Sequence, residues 1–328
     1  MKNSFTAKRS LIAIAKVTFT VFCLLSIYSC KTKNDEIPSP NSSPQSLTTA
    51  KTKVSSNSGV LMGTIDVDGD GVPDNIYNNG SFITVVRASG LSHQYPVGGG
   101  AWALLFGNAS SIVDLDGVAG AEIPVNIGGS LLIINDRLGT TSTYPIGNGS
   151  WAAAPGSIAD LDGVAGAEIP IVNGSQLIII TARTGTKSSY PISSGNWAVV
   201  QGGTTDLDGV PGAEITIVSG SQLIIFTAKT GQMNSYPMGS GSWAILSNGF
   251  QDFDGIPGND IAITQPESSR NNLIIVHPKS RTTTTYSTLG YWYLVSYANS
   301  GTNGVYINLF STTYNKNYTV VDATKTIR

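Results

Sequence analysis

Sixteen of the 21 acidic residues fall in five short segments of one design. They are Asp66, Asp68, Asp70 and Asp74; Asp114, Asp116 and Glu122; Asp160, Asp162 and Glu168; Asp206, Asp208 and Glu214; and Asp252, Asp254 and Asp260. Carboxylates this close repel one another, and none of the five segments contains Lys or Arg, so a bound cation is the expected neutraliser. The spacing suits Ca2+, a hard ion that takes roughly six to eight oxygens at about 2.3 to 2.6 Å. In Asp66–Asp74 the first, third and fifth positions can turn carboxylates inward, Val72 at the seventh can offer its carbonyl, and Asp74 at the ninth can complete the shell. In the other four segments the fifth position is Val118, Val164, Val210 or Ile256, which has no side-chain oxygen. Backbone carbonyls or water then replace it at weaker affinity, or the aspartates simply accept turn N–H groups.

These segments belong to an internal repeat, and the repeat governs the fold. The strings opening at Asp114, Asp160, Asp206 and Asp252 start 46 residues apart each time, and all five tryptophans (Trp102, Trp151, Trp197, Trp243, Trp292) recur with them. So do Tyr95-Pro96, Tyr144-Pro145, Tyr190-Pro191 and Tyr236-Pro237. The unit from Asn196 to Gly241 predicts four extended segments: Trp197–Thr205, Ala213–Val218, Gln222–Ala228 and Met233–Met238, with Gly/Ser/Asn turns between them. The third is apolar on both faces and belongs inside a sheet packed between neighbouring sheets. The fourth is polar and contains Pro237, which suits a sheet edge. Four strands per unit with a polar outermost strand describe an all-β fold, a β-propeller of about six blades over residues 57–328. The last unit, from Tyr291, is short by about one strand, which Leu47–Val54 either supply or leave missing as tether. An open solenoid is the architectural alternative.

The nine-residue acidic pattern followed by an apolar strand resembles the FG-GAP/VCBS repeat family, which includes the integrin α-subunit propeller and many bacterial surface proteins. The resemblance covers about residues 57–290 and is most specific at Asp66–Asp74. It implies calcium bound in the loop joining the first and second strands of a blade. By position, Asp66, Asp68, Asp70, the Val72 carbonyl and Asp74 are the implied ligands.

Each Trp opens a first strand. It serves either as a wedge between blades or as a partly exposed stacking platform for sugars, as in fungal lectins that resemble this repeat. The tyrosines of the fourth strands read as packing residues. The two histidines, His93 and His277, share no motif, so a histidine metal site or a Ser/His/Asp triad has little to build on. Outside the loops the repeat region offers only Asp136, Glu267 and Asp322 for carboxylate catalysis.

The N-terminus is read apart from the fold. Lys2, Lys8 and Arg9 precede an apolar run over Leu11–Ile27, and Ile27-Tyr28-Ser29-Cys30 resembles a bacterial lipobox. The resemblance implies removal of residues 1–29, lipidation of Cys30 and a stable membrane anchor; an ordinary signal peptide or a single transmembrane anchor is the alternative. Residues 30–56 read as a Pro/Ser-rich tether, and the acidic pair Asp35-Glu36 is similar to the surface-export signal of Bacteroidetes lipoproteins. Removal of residues 1–29 leaves 15 of the 19 basic residues against 21 acidic ones, which argues against nucleic acid as a partner. The sequence thus predicts a monomeric, outer-membrane, outward-facing, calcium-stabilised binding module whose partner is a glycan or a surface protein. The membrane is touched through the lipid alone. A carbohydrate-active enzyme is the third reading.

Overall fold

The computed structural model describes residues 59–147, 150–193, 195–266, 270–289, 291–299 and 304–327. They form six consecutive four-stranded antiparallel sheets, the blades of a β-propeller. Blade 1 holds β1 (Val60–Ile65), β2 (Asp74–Asn78), β3 (Phe82–Val86) and β4 (Ser92–Pro96). Blade 2 holds β5 (Ala103–Leu104), β6 (Ile123–Asn126), β7 (Ser130–Asn135) and β8 (Thr140–Pro145). Blade 3 holds β9 (Trp151–Ala153), β10 (Ile169–Asn173), β11 (Gln176–Thr181) and β12 (Thr186–Pro191). Blade 4 holds β13 (Trp197–Thr205), β14 (Glu214–Ser219), β15 (Gln222–Thr227) and β16 (Gln232–Pro237). Blade 5 holds β17 (Ala244–Gln251), β18 (Asp260–Pro266), β19 (Arg270–His277) and β20 (Thr282–Leu289). Blade 6 holds β21 (Trp292–Asn299), β22 (Val305–Ser311), β23 (Lys316–Val321) and β24 (Thr326–Ile327). The sixth unit, read from sequence as a strand short, therefore supplies its own fourth strand, although that strand is only two residues long. Leu47–Val54, with the signal segment, Cys30 and the tether, lie outside the described residues.

The core consists of layers between blades. Along β7, Leu132 and Ile134 pack with Ile76, Ile83 and Val85 of blade 1, while Leu131 and Ile133 pack with Ile169, Ile171, Ile178 and Ile180 of blade 3. The alternation follows from the two-residue period of a strand. The same alternation recurs at β15, whose Leu223 and Ile225 face blade 5 while Ile224 and Phe226 face blade 3. A strand apolar on both faces is thus buried on both, as its sequence requires. Tyr95, Tyr144, Tyr236 and Tyr286 on the fourth strands are buried in these layers, and the Tyr190 ring packs 4.6 Å from that of Phe226.

The first strands vary most. Blades 4 and 5 carry long first strands broken by irregular pairing between Val199 and Thr204 and between Ile245 and Phe250. In blade 3 Pro155 ends the strand early, and in blade 2 two short 3-10 turns, Leu105–Gly107 and Ala109–Ser111, replace its second half. The pairing resumes as single bridges, Val113 to Glu122 and Ala159 to Glu168, immediately beside the acidic loops.

Candidate functional site

Each acidic loop joins the first strand to the second, and its side chains tie it shut. The first-position aspartate accepts the N–H of the fourth-position glycine: Asp66 from Gly69 (2.7 Å), Asp114 from Gly117 (2.6 Å), Asp160 from Gly163 (2.7 Å), Asp206 from Gly209 (2.6 Å) and Asp252 from Gly255 (2.6 Å). The third-position aspartate accepts the N–H two residues on, as at Asp116 and Val118 (2.9 Å). The ninth-position acid reaches back across the loop: Glu122, Glu168 and Glu214 accept the N–H of Leu115, Leu161 and Leu207 at 2.7, 2.8 and 2.7 Å. These three glutamates are buried, and burial pushes each up to about 7, against the backbone hydrogen bonds that favour the charged form.

The loops are also joined to one another. The Asp66 carbonyl accepts the N–H of Ala121 in the next loop at 3.0 Å, and Ala167 to Asp114, Ala213 to Asp160, Asn259 to Asp206 and Val305 to Asp252 repeat the bond. The backbones approach so closely that a Cβ on Gly117 would lie 2.3 Å from the Ala165 carbonyl oxygen, and Gly163 and Gly209 stand in the same relation to Pro211 and Pro257.

Carboxylate oxygens gather within 4.8 Å of one another in every loop, but not always from the expected residues. Loops 2, 3 and 4 bring together Asp114, Asp116 and Glu122; Asp160, Asp162 and Glu168; and Asp206, Asp208 and Glu214. Loop 1 gathers Asp66, Asp68 and Asp70, while the Asp74 carboxylate accepts the N–H of Val67 (3.1 Å) and of Ala88 (2.9 Å) instead. The Val72 side chain is exposed, and its N–H donates to Asp70 (2.8 Å). In loop 5 the group is Asp254, Asp260 and His277, and Asp252 is spent on the turn.

Contrary to the expectation from sequence, three of these loops do have a base. No basic residue lies within a loop, yet the turn after the third strand of the same blade delivers one. Arg87 reaches Asp68 (3.1 Å), Arg137 reaches Asp116 (3.4 Å) and Arg183 reaches Asp162 (2.8 Å). Among the described residues, the carboxylates of Asp206, Asp208 and Glu214 have no such ion pair, and a cavity of about 120 Å³ opens beside Asp208 and Glu214, with Lys279 and Arg281 of blade 5 also in its lining. In loop 3 the Glu168 Oε1 is buried without a hydrogen-bond donor, with Arg183 no closer than 3.9 Å. An orphaned buried carboxylate oxygen fits a site meant for a cation.

Asp136 and Asp322 are buried. Asp136, fully buried, takes Arg87 Nε (2.7 Å), His93 Nδ1 (2.9 Å) and the Tyr95 hydroxyl (2.6 Å) from the preceding blade. Asp322 takes the Tyr286 hydroxyl in the same way. Glu267 lies outside the described residues.

The tryptophans lie at the blade junctions. Trp102, Trp151 and Trp197 donate their indole N–H to the carbonyls of Gly80, Gly128 and Gly174 in the preceding blade at 2.6, 2.6 and 2.9 Å, and Trp292 donates to Asn271 at 3.1 Å. Trp243 packs against the buried cluster that holds Leu223, Tyr236 and Ile263. Trp292 is buried and the other four are half-buried, so part of each of those four side chains meets solvent.

No protein-family model and no curated protein matches the chain, so the likeness to FG-GAP/VCBS repeats stands on the motif alone. Solved structures similar to it include the extracellular domain of a system from B. thetaiotaomicron, described in one structure as one-component and in another as hybrid two-component. These two are 8% and 9% identical, with TM-score 0.30, and match 85% of this chain and 34% of theirs. An auxiliary nutrient binding protein from Bacteroides thetaiotaomicron VPI-5482 is 12% identical, with TM-score 0.28, over 82% of this chain and 68% of that one. The chain thus spans about a third of the length of the first two. Among the described residues no helix is long and apolar enough to cross a membrane.

Proposed function

We propose that the chain is a lipid-anchored, outward-facing, non-catalytic binding module that holds Ca2+ in its acidic loops and takes uncharged carbohydrate polymers at several blade junctions. The carrying observation is the character of the clefts between neighbouring first strands. A cleft of about 650 Å³ between β13 and β17 is lined by Val200, Gln201, Ile245, Leu246, Asn248 and their neighbours, and none of its lining residues is ionisable. A second, of about 520 Å³, lies between the corresponding segments of blades 2 and 3, bordered by Phe106, Ser110 and Pro155, again without an ionisable group. An apolar floor with amides and hydroxyls at the rim suits a sugar, whose ring is apolar on its faces and hydroxylated at its edge. Hydrolysis would need acids that these clefts do not hold. The half-buried indoles at the junctions add stacking surface, and several weak sites gain from multivalency on a polymer.

Binding of the full chain in detergent to a panel of neutral polysaccharides, with and without Ca2+, tests this reading. Ser247→Trp or Ser110→Trp alone should cost little avidity, and the two together most of it. Trp151→Ala, Trp197→Ala and Trp243→Ala combined separate the indole faces from the clefts.

A second reading, a protein-binding adhesion scaffold, is favoured by exposed Tyr291, Tyr293, Val295 and Tyr314 on blade 6, each 52 to 54% exposed. Tight one-to-one binding to a folded protein, lost on Tyr293→Ala and indifferent to the cleft substitutions, would select it.

A further inference from the structure

We propose that Asp254, Asp260 and His277 form a site for a divalent transition-metal ion of the Zn2+ class, different in kind from the four loops before it and independent of whether those loops hold Ca2+. The observation is one imidazole enclosed by three carboxylates. His277 ends β19 and is 4% exposed. Its Nδ1 lies 3.0 Å from Asp260 Oδ1 and 3.5 Å from Asp254 Oδ2. Its Nε2 lies 3.3 Å from Asp322 Oδ2 and 3.1 Å from Thr284 Oγ1. The Asp322 Oδ2 is buried and takes no hydrogen bond.

A neutral imidazole carries one N–H and one lone pair. With the proton on Nε2, the Nδ1 lone pair faces Asp254 and Asp260; with the proton on Nδ1, the Nε2 lone pair faces Asp322. Each neutral tautomer sets one lone pair toward a carboxylate, although Thr284 can give its hydroxyl proton to Nε2, and a second ring proton or an ion in its place relieves the contact. An ion on Nδ1 in place of that proton, with Nε2–H turned to Asp322, satisfies both ring nitrogens, and it is the usual arrangement of a metal-bound histidine with a carboxylate behind it.

The spacing also admits an ion of this class. With bonds of about 2.1 Å, two ligands of one ion stand about 3.0 Å apart at a right angle and about 3.4 Å apart at the tetrahedral angle. The distances of 3.0 and 3.5 Å from Nδ1 to the two carboxylates match both. Imidazole nitrogen favours Zn2+, Cu2+ or Ni2+ over Ca2+. The place that His277 fills, the last residue of the third strand, holds Asn135, Thr181 and Thr227 in blades 2, 3 and 4, and none of these offers a nitrogen lone pair. Asn135 uses its amide to donate to Asp116 and Glu122, both at 2.9 Å, which shows that this position points into the loop. Asp322 belongs to blade 6, so the ion would pin the last two sheets together.

Full-length protein stripped with EDTA and titrated with Co2+ in excess Ca2+ tests the proposal. One Co2+ per chain is expected to stay bound, with visible ligand-field absorption. His277→Gln should weaken it at least 100-fold, and Asp322→Asn roughly 10- to 100-fold through the outer shell. The chain has two histidines, so should His277→Gln fail to fold, pulsed electron paramagnetic resonance of Cu2+ bound to His93→Gln decides the matter, because any imidazole nitrogen coupling there belongs to His277. Failure to hold Co2+ against Ca2+, or a bound ion without nitrogen coupling in His93→Gln, overturns the proposal. Calcium counted on the same samples reports separately on the other loops.

Discussion

Glu122, Glu168 and Glu214 close their loops with one carboxylate oxygen each, and in the metal-free chain burial raises them from 4.5 to about 7. A carboxyl raised on folding contributes stability that is present below its unfolded value and lost as pH rises through its folded value. The melting temperature in chelator should therefore fall between about pH 5 and pH 8, and Ca2+ should cancel the fall by compensating the carboxylate charge. Glu168→Gln should flatten part of it. A chelated protein with a flat profile over that window would falsify this account. The guanidinium on Asp162 supports a second prediction. Arg183→Gln should raise the calcium affinity of loop 3 by on the order of tenfold, since a partly exposed ion pair is what the metal must displace. Asp208→Asn should abolish calcium binding in loop 4, whose acids carry no ion pair among the described residues although Lys279 and Arg281 line the cavity beside them. Calcium titrations of the two variants check both. These bases were hidden in the sequence because Arg137 and Arg183 each lie 21 residues beyond the aspartate they meet, a distance bridged only by the register of two hairpins. His277 carried a faint signal, a polar residue ending an apolar strand where Asn135 ends another.

At the scale of elements, the strands of blade 4 were legible almost to the residue. Blade 4 was expected at Trp197–Thr205, Ala213–Val218, Gln222–Ala228 and Met233–Met238, and its four strands fall within one residue of these bounds. Apolar pattern and Gly/Ser/Asn turns carry that information locally. The contact of one loop with the next does not show in any single repeat, although the fourth-position glycine was its trace. Gly117 sits at φ +78 with the Ala165 carbonyl where a Cβ would go, whereas Gly139, at φ +65, has open space. Gly139→Ala should cost about 1 kcal/mol, the conformational penalty alone. Gly117→Ala adds a backbone collision and should cost about 2 to 4 kcal/mol. Urea denaturation of the two variants measures the difference, and equal effects would mean that the loops do not bear on each other.

For the whole molecule, the repeat made the number of blades readable, and the blade interfaces follow from strands that are apolar on both faces. The ends were less readable, because a unit lacking the acidic motif gives no count of its own strands; blade 6 has four. The proposed lipid anchor is tested on the whole chain. Cys30→Ser should abolish fatty-acid labelling and move the protein from the membrane to the soluble fraction, and persistent labelling would show that Cys30 is not the acceptor. The bond that joins loop to loop has a donor side and an acceptor side, like the head-to-tail contacts from which open filaments grow. Such a contact sets no limit on how often it is repeated. Blade 1 supplies the limit: where Ala121, Ala167, Ala213 and Asn259 give an N–H to the loop before them, its corresponding residue is Pro73, which has none to give. The row thus has a seam at its first loop, and the direction built into the five described bonds ends in one pyrrolidine ring.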